Sequence, residues 1–469
     1  MLEEGPFLEE EPKIVKLARK KIPWVGHVID DKRVAQDLLP PDVTYKVPER
    51  SICLECRGAR NLCGKKQCPI VLKVFSYLKV RPLIESDVLR GSSPPGVFVG
   101  RIGYPKVFVG PLIPPEIGDT GAYDTPEVWF GWNFGDIIDF RLKMVRACFK
   151  TEVRKATNPD RLLSNTIELA ISSTPVDAET RFRKPPKKVF LLDDEVQPMG
   201  PLGLVEDLQI SSVKTDRRLE KVFYDTDMKA SEAVLELYQK GVPVSKIQRA
   251  FSMGIMGVGK DRRLVPTRWS ITAVDSIISN HLIDRVKDFP QLDEYRIYEV
   301  NYLDNRFLVI FMPGPWTYES IEVWFPETLW NPTHDSIFVI GDWEGYQGRR
   351  NYARMGGCYY AARLAVTEKL VKEKRQATVL ILREAHSGYV MPVGVWFVRE
   401  SVRRALMNPP LRFEDFKEVI DYIGERFRFP LGEWIKNSRI LLDALRQEKL
   451  SSFLGDIKTN RGRNSSTAR

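Results

Sequence analysis

Residues 295–325, YRIYEVNYLDNRFLVIFMPGPWTYESIEVWF, set the fold class. Three short runs stand out, Tyr298–Tyr302, Phe307–Met312 and Ile321–Phe325. Each is rich in β-branched or aromatic residues, and Pro, Gly, Asn or Asp separates them, which is the pattern of successive strands. Ile337–Ile340 reads as a fourth. A glycine-rich loop, GDWEGYQGRRNYARMGG, then leads into a long helix expected over Tyr352 to Lys374. Thr378–Arg383 and Val393–Phe397 read as further strands, His386-Ser387-Gly388 as a turn, and Ser401–Leu406 as a helix. Strands framing long helices predict an α+β, mixed α/β fold.

Upstream, GSSPPGVFVGRIGYPKVFVGPLIPP (91–115) carries VFVG twice, at Val97–Gly100 and Val107–Gly110. Joined through Gly103-Tyr104-Pro105, these runs predict a hairpin. Its glycines fit either a phosphate approached by Arg101 or close strand packing. Asp124-Thr125-Pro126-Glu127 has the composition of a helix start, with a helix expected to about Phe149. A second is expected from Asn158-Pro159-Asp160 to Ser172. Ser231–Lys240 and Ser245–Ser252, around Gly241-Val242-Pro243, have the rhythm of a helix-turn-helix or a structural corner. In that reading Lys246, Gln248 and Arg249 point outward. FSMGIMGVGKDRRLVPTRWSITAVDS (251–276) holds Lys260, Arg262, Arg263 and Arg268. It fails the P-loop register, because Asp261 follows Lys260. Ser270 would cap a helix over Ile271–Ile283, whose start either holds an anion beside Arg268 and Trp269 or carries an ion pair of Arg268 with Asp275.

CLECRGARNLCGKKQC (53–68) places Cys53, Cys56, Cys63 and Cys68 in a C-x2-C-x6-C-x4-C pattern. Four thiolates so spaced suit a tetrahedral Zn²⁺ site, and an iron–sulfur cluster is the alternative. Two disulfides fit poorly in a chain of 469 residues whose N-terminus, MLEEGPFLEEEPK, is unlike a secretory leader. The two remaining cysteines suit a reducing, cytoplasmic setting. No 18-residue apolar run is present, so no membrane partner is expected.

Basic side chains exceed acidic ones by nine, and the pI is about 9.1, which favours a polyanion and nucleic acid first. Arg101, Lys260, Arg262, Arg263, Arg268, Arg349, Arg350 and Arg354 are the candidate phosphate contacts. His334, Asp342, Glu344 and His386 are the candidate catalytic residues of a metal-assisted hydrolytic site, if the fold brings them together. No Ser-His-Asp arrangement, HExxH or nucleophile elbow accompanies them. Enzyme and binder therefore both stay open.

Residues 413–446 read as amphipathic helix, followed by QEKLSSFL (447–454). Gln447, Leu450, Phe453 and Leu454 fit the box that docks on the PCNA sliding clamp: one helical turn makes a three-pronged apolar plug, and the glutamine anchors it. Leu454 stands where many such boxes have an aromatic residue.

With the cysteine cluster and this box both in view, the chain resembles the archaeal Nre family of DNA-repair proteins, and most its NreA type. The GVFVGRIGYPKVFVGPL and VPTRWSITAVD stretches carry the likeness further. The resemblance implies repair of damaged DNA in partnership with the clamp. It also implies that Cys53, Cys56, Cys63 and Cys68 hold zinc and that the 447–454 residues touch the clamp. The expected organisation is a basic, Pro-rich segment (1–50), a four-cysteine zinc module (51–70), two mixed α/β domains (71–220 and 221–440), the clamp-binding motif (441–456) and a basic tail (457–469). The competing roles are a DNA-binding repair factor, a metal-dependent nuclease or nucleotide hydrolase, and a clamp-bound scaffold without DNA contact.

Overall fold

The computed structural model describes residues 76, 78–186, 199–326, 328, 331, 336–389 and 391–446. The four-cysteine cluster, the 447–454 box and His334 lie outside them.

The first sheet contains β1 (Val88–Ser93), β2 (Val97–Val99), β3 (Lys106–Ile113), β4 (Val145–Glu152), β5 (Val176–Phe182) and β6 (Leu202–Ile210), in the order β1-β5-β6-β4-β3-β2. The predicted hairpin is β2–β3, with Val99 opposite Val109 and Gly103 at φ +80° in the turn. Gly110 serves packing there. A Cβ on it would lie 1.7 Å from the Ala147 carbonyl of β4.

Helix α1 is Phe134–Lys143, shorter than the helix expected from Asp124 to Phe149. Asp124 and Pro126–Val128 form 3-10 turns, and Asn133 restarts the chain as the cap, accepting from the Asp136 N–H. Residues 145–152 then alternate as strand β4 against β3. Helix α2, Arg161–Ala170, is capped by Asp160 as its sequence implies.

Helices α3 (Arg217–Tyr224), α4 (Ala230–Gln239) and α5 (Val244–Ser252) follow. The α4–α5 pair is a structural corner. Gln248 and Arg249 are buried instead of facing outward, and Lys246 Nζ pairs with Asp216 at 2.9 Å. Helix α6 runs from Thr267 to Lys287, starting a turn earlier than Ser270. Ser270 is buried within it, and Asp275 meets Arg399 at 3.0 Å and Gln248 at 2.8 Å in place of Arg268.

The second sheet contains β7 (Tyr295–Tyr302), β8 (Asn305–Met312), β9 (Thr317–Trp324), β10 (Phe338–Glu344), β11 (Thr378–Ala385) and β12 (Leu411–Phe413). Its order is β10-β9-β11-β8-β7-β12, with β9 and β11 parallel. Both faces are covered, so β8 and β11 read as unbroken apolar runs. Phe307, Val309 and Phe311 face one core with α7 (Gly357–Glu373) and α8 (Trp396–Met407). Leu308, Ile310 and Met312 face another with α9 (Phe416–Arg426), α10 (Leu431–Asn437) and a helix from residue 439. Val393–Phe397, expected as a strand, leads into α8, where the Trp396 indole donates to the Val393 carbonyl at 2.7 Å. A short apolar run does not tell a buried helix from a strand.

Helix α6 joins the two halves. Val286 packs with α1 and the second sheet, while Val274, Ile278 and Leu282 pack with β2, β3 and α2 to α5.

Candidate nucleic-acid interface

Strand β10 is an edge of the second sheet, and alternation sends its polar residues to opposite faces. Glu344 faces α7, and Asp342 turns to the 345–356 loop that follows the strand. Trp343, opposite Glu319, faces the last helices. Glu319 fixes those helices: it accepts from the Ser438 hydroxyl (2.6 Å) and from the Arg439 and Ile440 N–H groups (both 2.9 Å).

The 345–356 loop is latched onto β10. Its first turn closes through the Gly348 N–H to Gly345 O, at 2.8 Å, with Gly348 at φ +74°. Asp342 Oδ2 accepts from Arg349 Nη2 (2.8 Å) and from the Arg354 N–H (2.7 Å). Burial works against the Asp342 charge. The Arg349 hydrogen bond and the Arg354 N–H outweigh it and hold the carboxyl below the usual range. Arg349 also donates to the Asn351 and Trp343 carbonyls and lies over the Tyr359 ring. It is therefore committed to the loop, whereas Arg350 and Arg354 are exposed.

Two clefts flank the strand. The outer one, about 680 Å³, lies between β10 and residues 436–446. Trp343, Arg354, Lys436, Arg439 and Arg446 line it, and all five are exposed. The Arg439 guanidinium sits over the Trp343 ring, 3.6 Å from its centre. Asp443 lies 3.7 Å from both Arg439 and Arg446, and Lys436 pairs with Glu433 at 2.8 Å. Four basic side chains thus line the cleft against three acids, Glu319, Asp342 and Asp443, of which Glu319 is buried and Asp342 is bonded to the loop. The inner cleft, about 460 Å³, runs between α6 and the loop.

Other sequence candidates have separate fates. Arg268 is exposed in the first turn of α6 and close enough to Tyr352 to act on its hydroxyl, so it borders the loop. Arg101 lies two residues past Val99, whose N–H donates to Thr267 Oγ1 at the same helix start (2.9 Å). Lys260 and Arg263 are exposed on the approach to α6. Arg262 is buried and gives its guanidinium to the carbonyls of Val222, Phe223, Asp225 and Gly257, closing the end of α3.

Among the described residues, the catalytic candidates Asp342, Glu344 and His386 do not converge. Glu344 is buried beneath α7, with Arg363 at 2.7 Å. His386 stacks on Phe325 and lies 3.2 Å from Glu384. Glu344 pairs with Tyr318, which lies beside Val379. Ala385, next to His386, is 385 − 379 = 6 residues further along β11. At ~3.3 Å per residue that is about 20 Å. No group of three or more His, Cys, Asp or Glu side chains with metal-holding geometry occurs among the described residues. No helix among them is long and apolar enough to cross a membrane.

Trp343, Lys436, Arg439 and Arg446 escaped the sequence reading. Their cue was weak, since basic residues on an amphipathic helix usually mark only its wet face.

Residues 62–331 match the family described as archaeal Nre, N-terminal, and residues 344–453 match archaeal Nre, C-terminal. The first match begins after Cys53 and Cys56, and the second ends one residue before Leu454. The chain is 40% identical over 403 residues to the DNA repair protein NreB of Archaeoglobus fulgidus, covering 86% of this chain and 100% of that one. It is 37% identical to the DNA repair protein NreA of the same organism, over 86% of this chain and 98% of that one. It is 33% identical to the DNA repair protein NreA of Haloferax volcanii, over 76% and 87%. No solved structure matches the chain.

Proposed function

The chain belongs to the archaeal Nre family, and from that membership we propose that it is a DNA repair factor that binds DNA along the β10 edge and is brought to its substrate by the PCNA clamp. One observation carries the DNA-binding part: Arg354, Lys436, Arg439 and Arg446 stand exposed around one cleft with Trp343 among them. Spread cations neutralise successive phosphates, and an accessible indole stacks an unpaired base. In sequence, Gln447, Leu450, Phe453 and Leu454 follow the helix that forms one wall, which is described from residue 439 to residue 446.

The geometry favours binding over hydrolysis. Both Asp342 oxygens accept hydrogen bonds from the protein, Glu344 pairs with Arg363, and His386 is remote. Zinc on Cys53, Cys56, Cys63 and Cys68 is the proposed stabiliser of the N-terminal module, on the strength of its donor set and spacing. The test is binding of labelled duplex and single-stranded DNA at low salt by the whole chain. Affinity that falls linearly in log salt supports the proposal, and no binding to either form at about 50 mM salt contradicts it.

A further inference from the structure

We propose that the inner cleft is a nucleotide pocket in which buried Glu344 accepts a hydrogen bond from a base amino group while Lys287 and Arg350 hold the phosphate. Glu344 lines the cleft and is only 2% exposed. Its Oε2 accepts from Arg363 Nη1 at 2.7 Å and from the Tyr359 hydroxyl at 3.2 Å. Its Oε1 is buried and has no hydrogen-bond partner among the described residues. A buried carboxylate oxygen left unpaired is costly, and a ligand N–H removes that cost.

The rest of the lining fits the same ligand. Arg363 is consumed by Glu344, Ser279 and Asn280. Asn280 accepts from it through Oδ1 at 2.8 Å, which leaves the Asn280 amide as a donor. Tyr352 and Tyr360, with ring centres 5.5 Å apart, supply an aromatic wall. Lys287 and Arg350 supply positive charge. A polar floor that accepts, aromatic sides and basic lining describe a nucleoside phosphate, and about 460 Å³ is within the usual range for such ligands.

One free oxygen also selects among bases. Adenine, cytosine and guanine carry an exocyclic amino group. The single N–H of thymine is flanked by two carbonyl oxygens that would press against the carboxylate. The nucleotide is either free or an unpaired member of a DNA strand. The second source rests on the DNA-binding proposal above, and the first does not.

The experiment titrates the full chain with dAMP, dCMP, dGMP, dTMP and deoxyribose 5-phosphate by calorimetry. In parallel, duplexes carrying one unpaired A, C, G or T, one abasic site, or no defect are titrated by anisotropy. The expected result is that amino-bearing bases bind at least about ten-fold tighter than thymine or the bare sugar phosphate in one arm or both, the size of one hydrogen bond to a charged group. Preference among mononucleotides identifies a free-nucleotide site. Preference only among unpaired bases identifies a strand-borne one. Glu344→Gln abolishes the preference, and Lys287→Ala/Arg350→Ala weakens all nucleotides alike. If Glu344→Gln does not fold, the wild-type preference among bases tests the base contact and the rim double variant tests the phosphate contact; a double variant that binds every nucleotide as wild type does overturns the pocket. Equal binding of thymine and amino bases, retained preference in Glu344→Gln, or binding in neither arm overturns the proposal. Intact duplex that binds without any base preference defeats the pocket and leaves the DNA-binding proposal standing. Mononucleotide binding without duplex binding does the reverse.

Discussion

Replacing Arg350, on the inner-cleft side of the β10 loop, and Arg354, on its outer-cleft side, together by alanine tests the phosphate-binding role of the whole loop. Both guanidinium groups are exposed. The contact that latches the loop is made by the Arg354 N–H and by Arg349, neither of which the substitutions remove. The fold and the latch should therefore survive. If each arginine neutralises one duplex phosphate, each contributes about 0.9 to the slope of log affinity against log salt. The double variant should have a slope smaller by ~1.8. Between about 50 and 200 mM salt the wild-type affinity should consequently fall about 12-fold further than that of the variant. The assay is anisotropy of a labelled duplex at four or more salt concentrations, with melting temperature measured alongside. An unchanged slope at unchanged melting temperature would refute the assignment, because exposed arginines that touch no phosphate release no counterions.

Four further outcomes are expected. Asp342→Asn should lower stability by about 1–2 kcal/mol at pH 7, since two donors lose an ionised acceptor. The folded-state pKa of Asp342 is depressed, so this stabilisation is present above the unfolded value and is lost as pH falls below about 4. Melting curves of the two proteins should converge there and stay parallel from about pH 5 to 8. Asp275→Ala leaves buried Arg399 with Glu400 alone (3.1 Å) and Gln248 without its 2.8 Å acceptor, and should cost about 3 kcal/mol in denaturant unfolding. Leu450→Ala/Phe453→Ala should abolish measurable PCNA binding by calorimetry while DNA affinity is unchanged. Purified chain should carry one zinc by elemental analysis, and substitution of Cys53 and Cys56 by serine should remove it; visible absorbance from an iron–sulfur cluster would contradict the zinc assignment.

Local pattern was legible wherever one interaction range decided the structure. The β8 and β11 runs, the Asp160 cap and the VFVG hairpin follow from nearest neighbours and alternation. The misreadings occurred where partners are distant in sequence. Gln248 and Arg249 look like an exposed face until α6, Pro95 and Asp124 are placed against them. Asp275 answers Arg399, 124 residues away. The site divides the same way. Arg350 and Arg354 stand in a glycine-rich loop that marks itself, and so were visible as candidates. Arg439 and Lys436 gained meaning only when Glu319 pinned residues 438–440, at the junction of their two helices, and Arg439 came to lie over Trp343. The loop glycines were visible too, but the helix they precede begins at Gly357 and not Tyr352, because Gly356 takes φ +64°.

Hydrogen exchange of the whole chain, with and without a saturating DNA ligand at low salt, tests most directly whether the β10 edge is where DNA lies. Protection concentrated in residues 345–356 and 436–446 is the predicted footprint. Saturated DNA that leaves both segments exchanging as they do in the free protein would contradict it.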